Sequence, residues 1–133
     1  MASAGGGTVT PVDATVPPGW PEEVRPPGAP DWERTAVAWL FDLCPAEYRA
    51  HEVLRRYPVL LARFAGDHVA AGLDAARKGW RTVRVELADH VPTEAIEAAI
   101  AAYEREGARL GAAARGVEVV TAALRGEQWV PRL

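Results

Sequence analysis

From Val59 to Leu87 the chain repeats an apolar or small residue every three or four positions without a break, at Val59, Ala62, Gly66, Val69, Leu73, Ala76, Trp80, Val83 and Leu87, and His90 continues the spacing. Pro92 interrupts the series. A second one follows through Ile96, Ile100, Tyr103, Gly107, Leu110, Ala114, Val117, Thr121 and Leu124. A three–four spacing sustained this long fits an amphipathic helix and cannot be a strand, whose side chains alternate with period two. The sequence therefore predicts an all-α fold built on a long antiparallel helical hairpin, with helices at about 58–90 and 93–125. Pro58 suits a first helical turn, where its missing N–H is not needed, and Thr93 is a candidate cap for the second helix. Gly79, followed by Thr82 and Val83, is the weak point of the first helix.

Folding the chain back at Pro92 sets Leu87 against Ile96, Val83 against Ile100, Trp80 against Tyr103, Ala76 against Gly107, Leu73 against Leu110 and Gly66 against Val117. This is the layering of an antiparallel coiled coil. On one flank of that register Arg63, Arg77 and Arg84 lie opposite Glu118, Glu104 and Glu97, so three interhelical ion pairs are expected. Each exposed pair contributes only ~0.2–1 kcal/mol, which specifies orientation more than stability. On the other flank Ala65, Gly72 and Gly79 face Val120, Ala113 and Glu106, a smooth side that should not stay wet.

A shorter helix is predicted at about 31–43, where Trp32, Ala36, Trp39, Leu40 and Leu43 form one stripe behind Asp31, a candidate N-cap. It is expected to pack on the smooth side as a third helix. Residues 1–30 form a Pro/Gly-rich arm holding seven of the eleven prolines and five of the twelve glycines. Disordered or extended structure is expected there, with disorder from Met1 to Val16. Trp20 in this arm reads as the anchor of a strap lying on the body, since burying an indole contributes on the order of a few kcal/mol. The alternative is bait for a groove on another protein. Residues 31–126 form the single helical domain, and 127–133 a C-terminal tail.

At 133 residues the chain has room for one core. A net charge of −3 argues against nucleic acid as the main partner. No apolar run reaches the ~20 residues of a membrane span, and the first sixteen residues carry no secretory pattern. The lone Cys44 excludes an internal disulfide and fits a reducing, cytoplasmic compartment.

Residues with chemical potential are few. His68 projects from the smooth side, where a packing histidine under the first helix or the arm is favoured over a catalytic one. Glu86 and His90, spaced i, i+4 beside Asp89, read as a tip cluster rather than a metal site, because no matching Glu-x-x-His pair exists. Cys44 lacks a neighbouring base and reads as a small apolar residue. Phosphate loops, zinc spacings and nucleophile elbows are absent. No catalytic residue, cofactor or metal is assigned.

The stretch Pro17-Pro18-Gly19-Trp20-Pro21, with Asp31-Trp32-Glu33-Arg34 and Cys44-Pro45-Ala46-Glu47-Tyr48-Arg49, resembles small uncharacterised helical proteins of high-GC bacteria, from the arm to about Leu124. The resemblance implies a cytoplasmic helical domain and carries over no functional residue.

The reading that follows is a non-enzymatic module for protein interaction or oligomerisation, with a protein partner or a homodimer expected. Trp20, Trp32, Trp39, His68, Trp80 and Tyr103 are its candidate contact residues. A regulatory or catalytic domain with a ligand pocket near His68 and Tyr48, between the hairpin and the first helix, ranks second. A nucleic-acid accessory role through Arg77, Lys78, Arg81 and Arg84 ranks third.

Overall fold

A computed structural model describes residues 16–131, and these fold as an all-α hairpin with shorter helices packed beside it. Among the described residues four α-helices follow in order: α1 (Trp32–Asp42), α2 (Glu52–Arg56), α3 (Pro58–Leu87) and α4 (Thr93–Leu124), with a 3-10 helix at Ala46–Ala50 between the first two. The expected disorder of the first sixteen residues lies, but for Val16, outside the described residues.

Local chemistry sets each boundary. Tyr57 is extended (φ −126°, ψ 90°), as a residue before proline prefers, and Pro58 opens α3. The helix then runs thirty residues, unbroken through Gly79. It ends at Leu87 rather than at 90, where Ala88, Asp89 and His90 form the turn that leads to Pro92. Gly126 takes φ +85° beyond α4. The amides of Gly126 and Glu127 donate to the carbonyls of Ala123 and Ala122, each at 3.0 Å. This is a glycine-closed helix end that satisfies otherwise orphaned carbonyls.

Neither expected cap forms. Asp31 precedes α1, but its carboxylate makes no bond to the helix amides. It pairs instead with Arg34 at 3.2 Å and Arg25 at 3.7 Å, since a full charge on either partner competes with a backbone donor. Thr93 is already helical, and Pro92 holds the capping position without a side-chain bond.

The core sits at the open end of the hairpin. Leu40 and Ala36 of α1, Leu54 of α2, Leu61, Ala62 and Ala65 of α3, and Val117 and Val120 of α4 meet there, and Val24 of the arm, 3% exposed, joins them. The indole Nε1 of Trp20 donates to the Val24 carbonyl at 2.9 Å, and its ring lies 6.2 Å from that of Trp32. The Arg25 amide donates to Thr35 Oγ1 at 3.0 Å, tying the arm to α1. Residues 16–30 thus pack as part of the helical body.

Along the seam, small residues admit large neighbours from the other helix. A β-carbon at position 66 would stand 3.4 Å from Val117 Cγ1, and one at position 72 would stand 3.2 Å from Leu110 Cδ1. At position 79 it would overlap the ring of Tyr103. Tyr103 therefore seats on Gly79, and Trp80, the residue it was expected to face, turns outward.

The three expected ion pairs do not form. Among the described residues, no ion pair joins Arg63 to Glu118, Arg77 to Glu104 or Arg84 to Glu97. Arg63 lies 3.5 Å from Asp67, one turn along its own helix, and Glu104 accepts the Trp80 indole N–H at 3.1 Å. An i, i+4 partner requires no reach across the groove, and an exposed interhelical pair barely offsets the entropy of fixing two long side chains.

The third helix also differs in extent. α1 packs on both α3 and α4, but it reaches only the lower part of the smooth side and stops at Asp42. Above the core, the buried apolar residues of the hairpin reduce to Val69, Ala76, Val83, Ile96 and Ala113.

Candidate functional site

Five of the six candidate contact residues divide into two groups, and His68 stands apart. Trp20, Trp32 and Trp39 are half-buried against the core. Trp39 rests on Gly116 of α4, so sharply that a β-carbon there would lie 2.8 Å from Trp39 Cη2. Their work is internal. Trp80 is 49% exposed and Tyr103 half-buried, and both line a groove of about 440 Å³ on the side of the hairpin away from α1. Ala76 and Gly107 share that groove, with Arg77 and Arg81 on the α3 rim and Glu104 on the α4 rim. Below it, Arg63, Gly66, Asp67, Ala114 and Glu118 line a second groove of about 460 Å³. Arg77 with Glu104 and Arg63 with Glu118 thus share grooves on the open side, and both ends of all three expected pairs are exposed.

His68 is exposed rather than covered. α1 ends short of it, and the nearest ring is that of Tyr48, set edge-on at 6.3 Å. Tyr48 also meets Phe64 edge-on at 5.9 Å. Beside His68, past the end of α1, lies a groove of about 490 Å³ bounded by Leu43, Gly72, Tyr103, Glu106 and Arg109. Of its charged lining residues, Asp42 is held by Arg49 at 2.8 Å, and Glu106 and Arg109 hold one another. Arg109 donates to both carboxylate oxygens of Glu106, at 2.7 and 3.3 Å. That bond holds the Glu106 carboxyl below its ordinary pKa and raises the Arg109 guanidinium. A carboxylate so held is a poor proton donor or acceptor near neutral pH.

Cys44 is buried. Desolvation pushes its thiol pKa up, and the nearby Arg49 offsets part of the rise. A neutral, enclosed thiol is a weak nucleophile. Among the described residues no three His, Cys, Asp or Glu side chains are grouped to hold a metal ion. No helix of those residues is long and apolar enough to cross a membrane. Arg77, Lys78, Arg81 and Arg84 are all exposed.

Three features escaped sequence reasoning. Gly116 is the seat for Trp39, and the signal was a glycine placed inside a helix, where it costs about 1 kcal/mol relative to alanine. Phe41 is buried under two guanidinium groups, Arg49 and Arg55, each 5.6 Å from its centroid. Arg49 also holds Asp42 at 2.8 Å, which closes the turn after α1. Trp129 of the tail bounds, with Trp20, Pro17 and Val119, a cavity of about 500 Å³. Nothing in its local sequence tied it to the arm.

Compared with known proteins, the chain matches no family model, no curated protein and no solved structure, so a functional reading rests on its own surface.

Proposed function

We propose that this chain is a non-enzymatic protein-interaction module whose working surface is the open side of the hairpin around Trp80. The observation that carries this is the upper hairpin, a pair of helices over which, among the described residues, no third element packs. Trp80 and Leu87, 49% and 45% exposed, lie one heptad apart on α3. Two helices bury one seam and leave their outer apolar positions in water, and helical layers of this kind are ordinarily completed by further helices. Trp is also a side chain that interfaces favour.

Trp80→Ser with Leu87→Ser tests the reading. The double variant is expected to keep its helical circular dichroism and thermal midpoint while losing the association that the native chain shows on co-purification from its own cells. A native chain that migrates alone, with or without the substitutions, overturns the proposal. The groove beside His68 supports a ligand-binding reading in second place. Its test is a thermal-shift screen in which a ligand stabilises the native chain but not His68→Ala.

A further inference from the structure

Resting on that reading, we infer that the occupant of the open face is a second copy of this chain. The two hairpins pair about a twofold axis that runs along their length, forming a four-helix bundle with both tips at the same end.

Charge selects this arrangement. From position 70 to its end α3 carries four cations against two carboxylates, whereas α4 from its start to position 110 carries four carboxylates against two cations. The rims of the open groove repeat the bias, with Arg77 and Arg81 on α3 and Glu104 on α4. Two ways of stacking such a face on itself are symmetric. An axis across the hairpins lays α3 on α3, so arginine rims meet, and α4 on α4, so glutamates meet. Like charges brought together in this way exclude a pairing. An axis along the hairpins lays α3 of each copy on α4 of the other and leaves every residue at its own height. Arg77 then faces Glu104 of the other copy, Arg84 faces Glu97 and Arg63 faces Glu118. Every neighbouring pair of helices in the bundle is antiparallel, the up-down packing of four-helix bundles.

Apart from Glu104, which accepts the Trp80 indole N–H, the monomer has left these groups without a partner across the hairpin. Among the described residues, Arg77, Arg84, Glu97 and Glu118 take part in no ion pair, and Arg63 has only its neighbour Asp67. The surface is also large enough. A thirty-residue helix is about 45 Å long, and two helices side by side are about 18 Å wide, giving roughly 800 Å² per copy. That is the area each partner contributes to a standard stable interface. Gly107 on the groove floor has nothing within 4 Å of where a β-carbon would be, so no contact inside the monomer requires a glycine there. A second backbone approaching that floor would use the space.

Sedimentation equilibrium of the full chain tests the inference. The native chain is expected to be a dimer. Arg77→Glu with Arg84→Glu, and separately Glu97→Arg with Glu104→Arg, are each expected to keep their helical circular dichroism. Each should weaken dimerisation by at least ~100-fold, as reversed charges across an interface do. Mixing the two variants is expected to restore a dimer containing one chain of each. For variants that do not fold, Arg77→Cys and Glu104→Cys chains, both on a Cys44→Ser background, serve instead. Oxidising their mixture should give a disulfide-linked heterodimer, and oxidising Arg77→Cys alone should give none. A native monomer at millimolar concentration overturns the inference, as does a native dimer indifferent to the swaps or an efficient Arg77→Cys self-crosslink. A monomer that still loses its cellular association on Trp80→Ser and Leu87→Ser would overturn only the identity of the occupant and leave the interaction surface standing.

Discussion

The indole of Trp39 fills the space that a side chain at position 116 would need, with its Cη2 2.8 Å and its Cζ2 3.1 Å from where a β-carbon would stand. Pro21 of the arm closes the same spot at 3.6 Å. One glycine thereby joins three segments: α1, α4 and the strap.

Gly116→Ala should therefore destabilise the fold even though alanine is the better helix former. The propensity gain of about 1 kcal/mol is outweighed by overpacking against a rigid ring, which costs about 1–3 kcal/mol. The expected outcome is a lower urea midpoint, partly recovered when Trp39→Phe is added, because the two positions share one contact. Gly107→Ala is the control. With open space at that site it should raise stability by about 0.5–1 kcal/mol in solutions dilute enough to keep the chain monomeric.

Trp20 holds the arm by a hydrogen bond and by area. Trp20→Phe keeps much of the area but removes the donor to the Val24 carbonyl, and about 1 kcal/mol should be lost. Trp20→Ala should lose about 3 kcal/mol, as large aromatic truncations do. Thermal unfolding followed by circular dichroism distinguishes the two steps. Equal midpoints for wild type and Trp20→Ala would show that the strap contributes nothing.

Cys44 sets an alkaline limit. Its folded thiol binds the proton more tightly than the unfolded thiol, because burial disfavours the thiolate. The resulting contribution is complete below the unfolded pKa and lost as pH rises through the folded one. Stability should fall on the alkaline side in the native chain and fall less in Cys44→Ala. A thiol reagent should label native Cys44 slowly and the denatured chain at once.

The fold was legible because the three–four spacing of α3 and α4 states a helix pair directly, and Pro58 and Pro92 mark where each helix begins. Side-chain roles were less legible. Arg77 and Glu104 occupy facing rims of one groove, yet the sequence could not show that a nearby indole N–H would take the carboxylate. Exposed charges have several partners within reach at nearly equal free energy, and spacing alone does not choose among them. His68 carried the same ambiguity, because its cover depended on where α1 stopped.

By itself the sequence determined the hairpin, its turn and the charge bias of its two helices, since these follow from periodicity and composition along one chain. Only the tertiary structure decided that α1 and the arm cover the lower hairpin and leave the upper part open. That outcome depends on which surface accepts a tryptophan. The choice between Gly116 and Gly79 is steric, because Tyr103 already occupies the space over Gly79 while Gly116 stands free for Trp39.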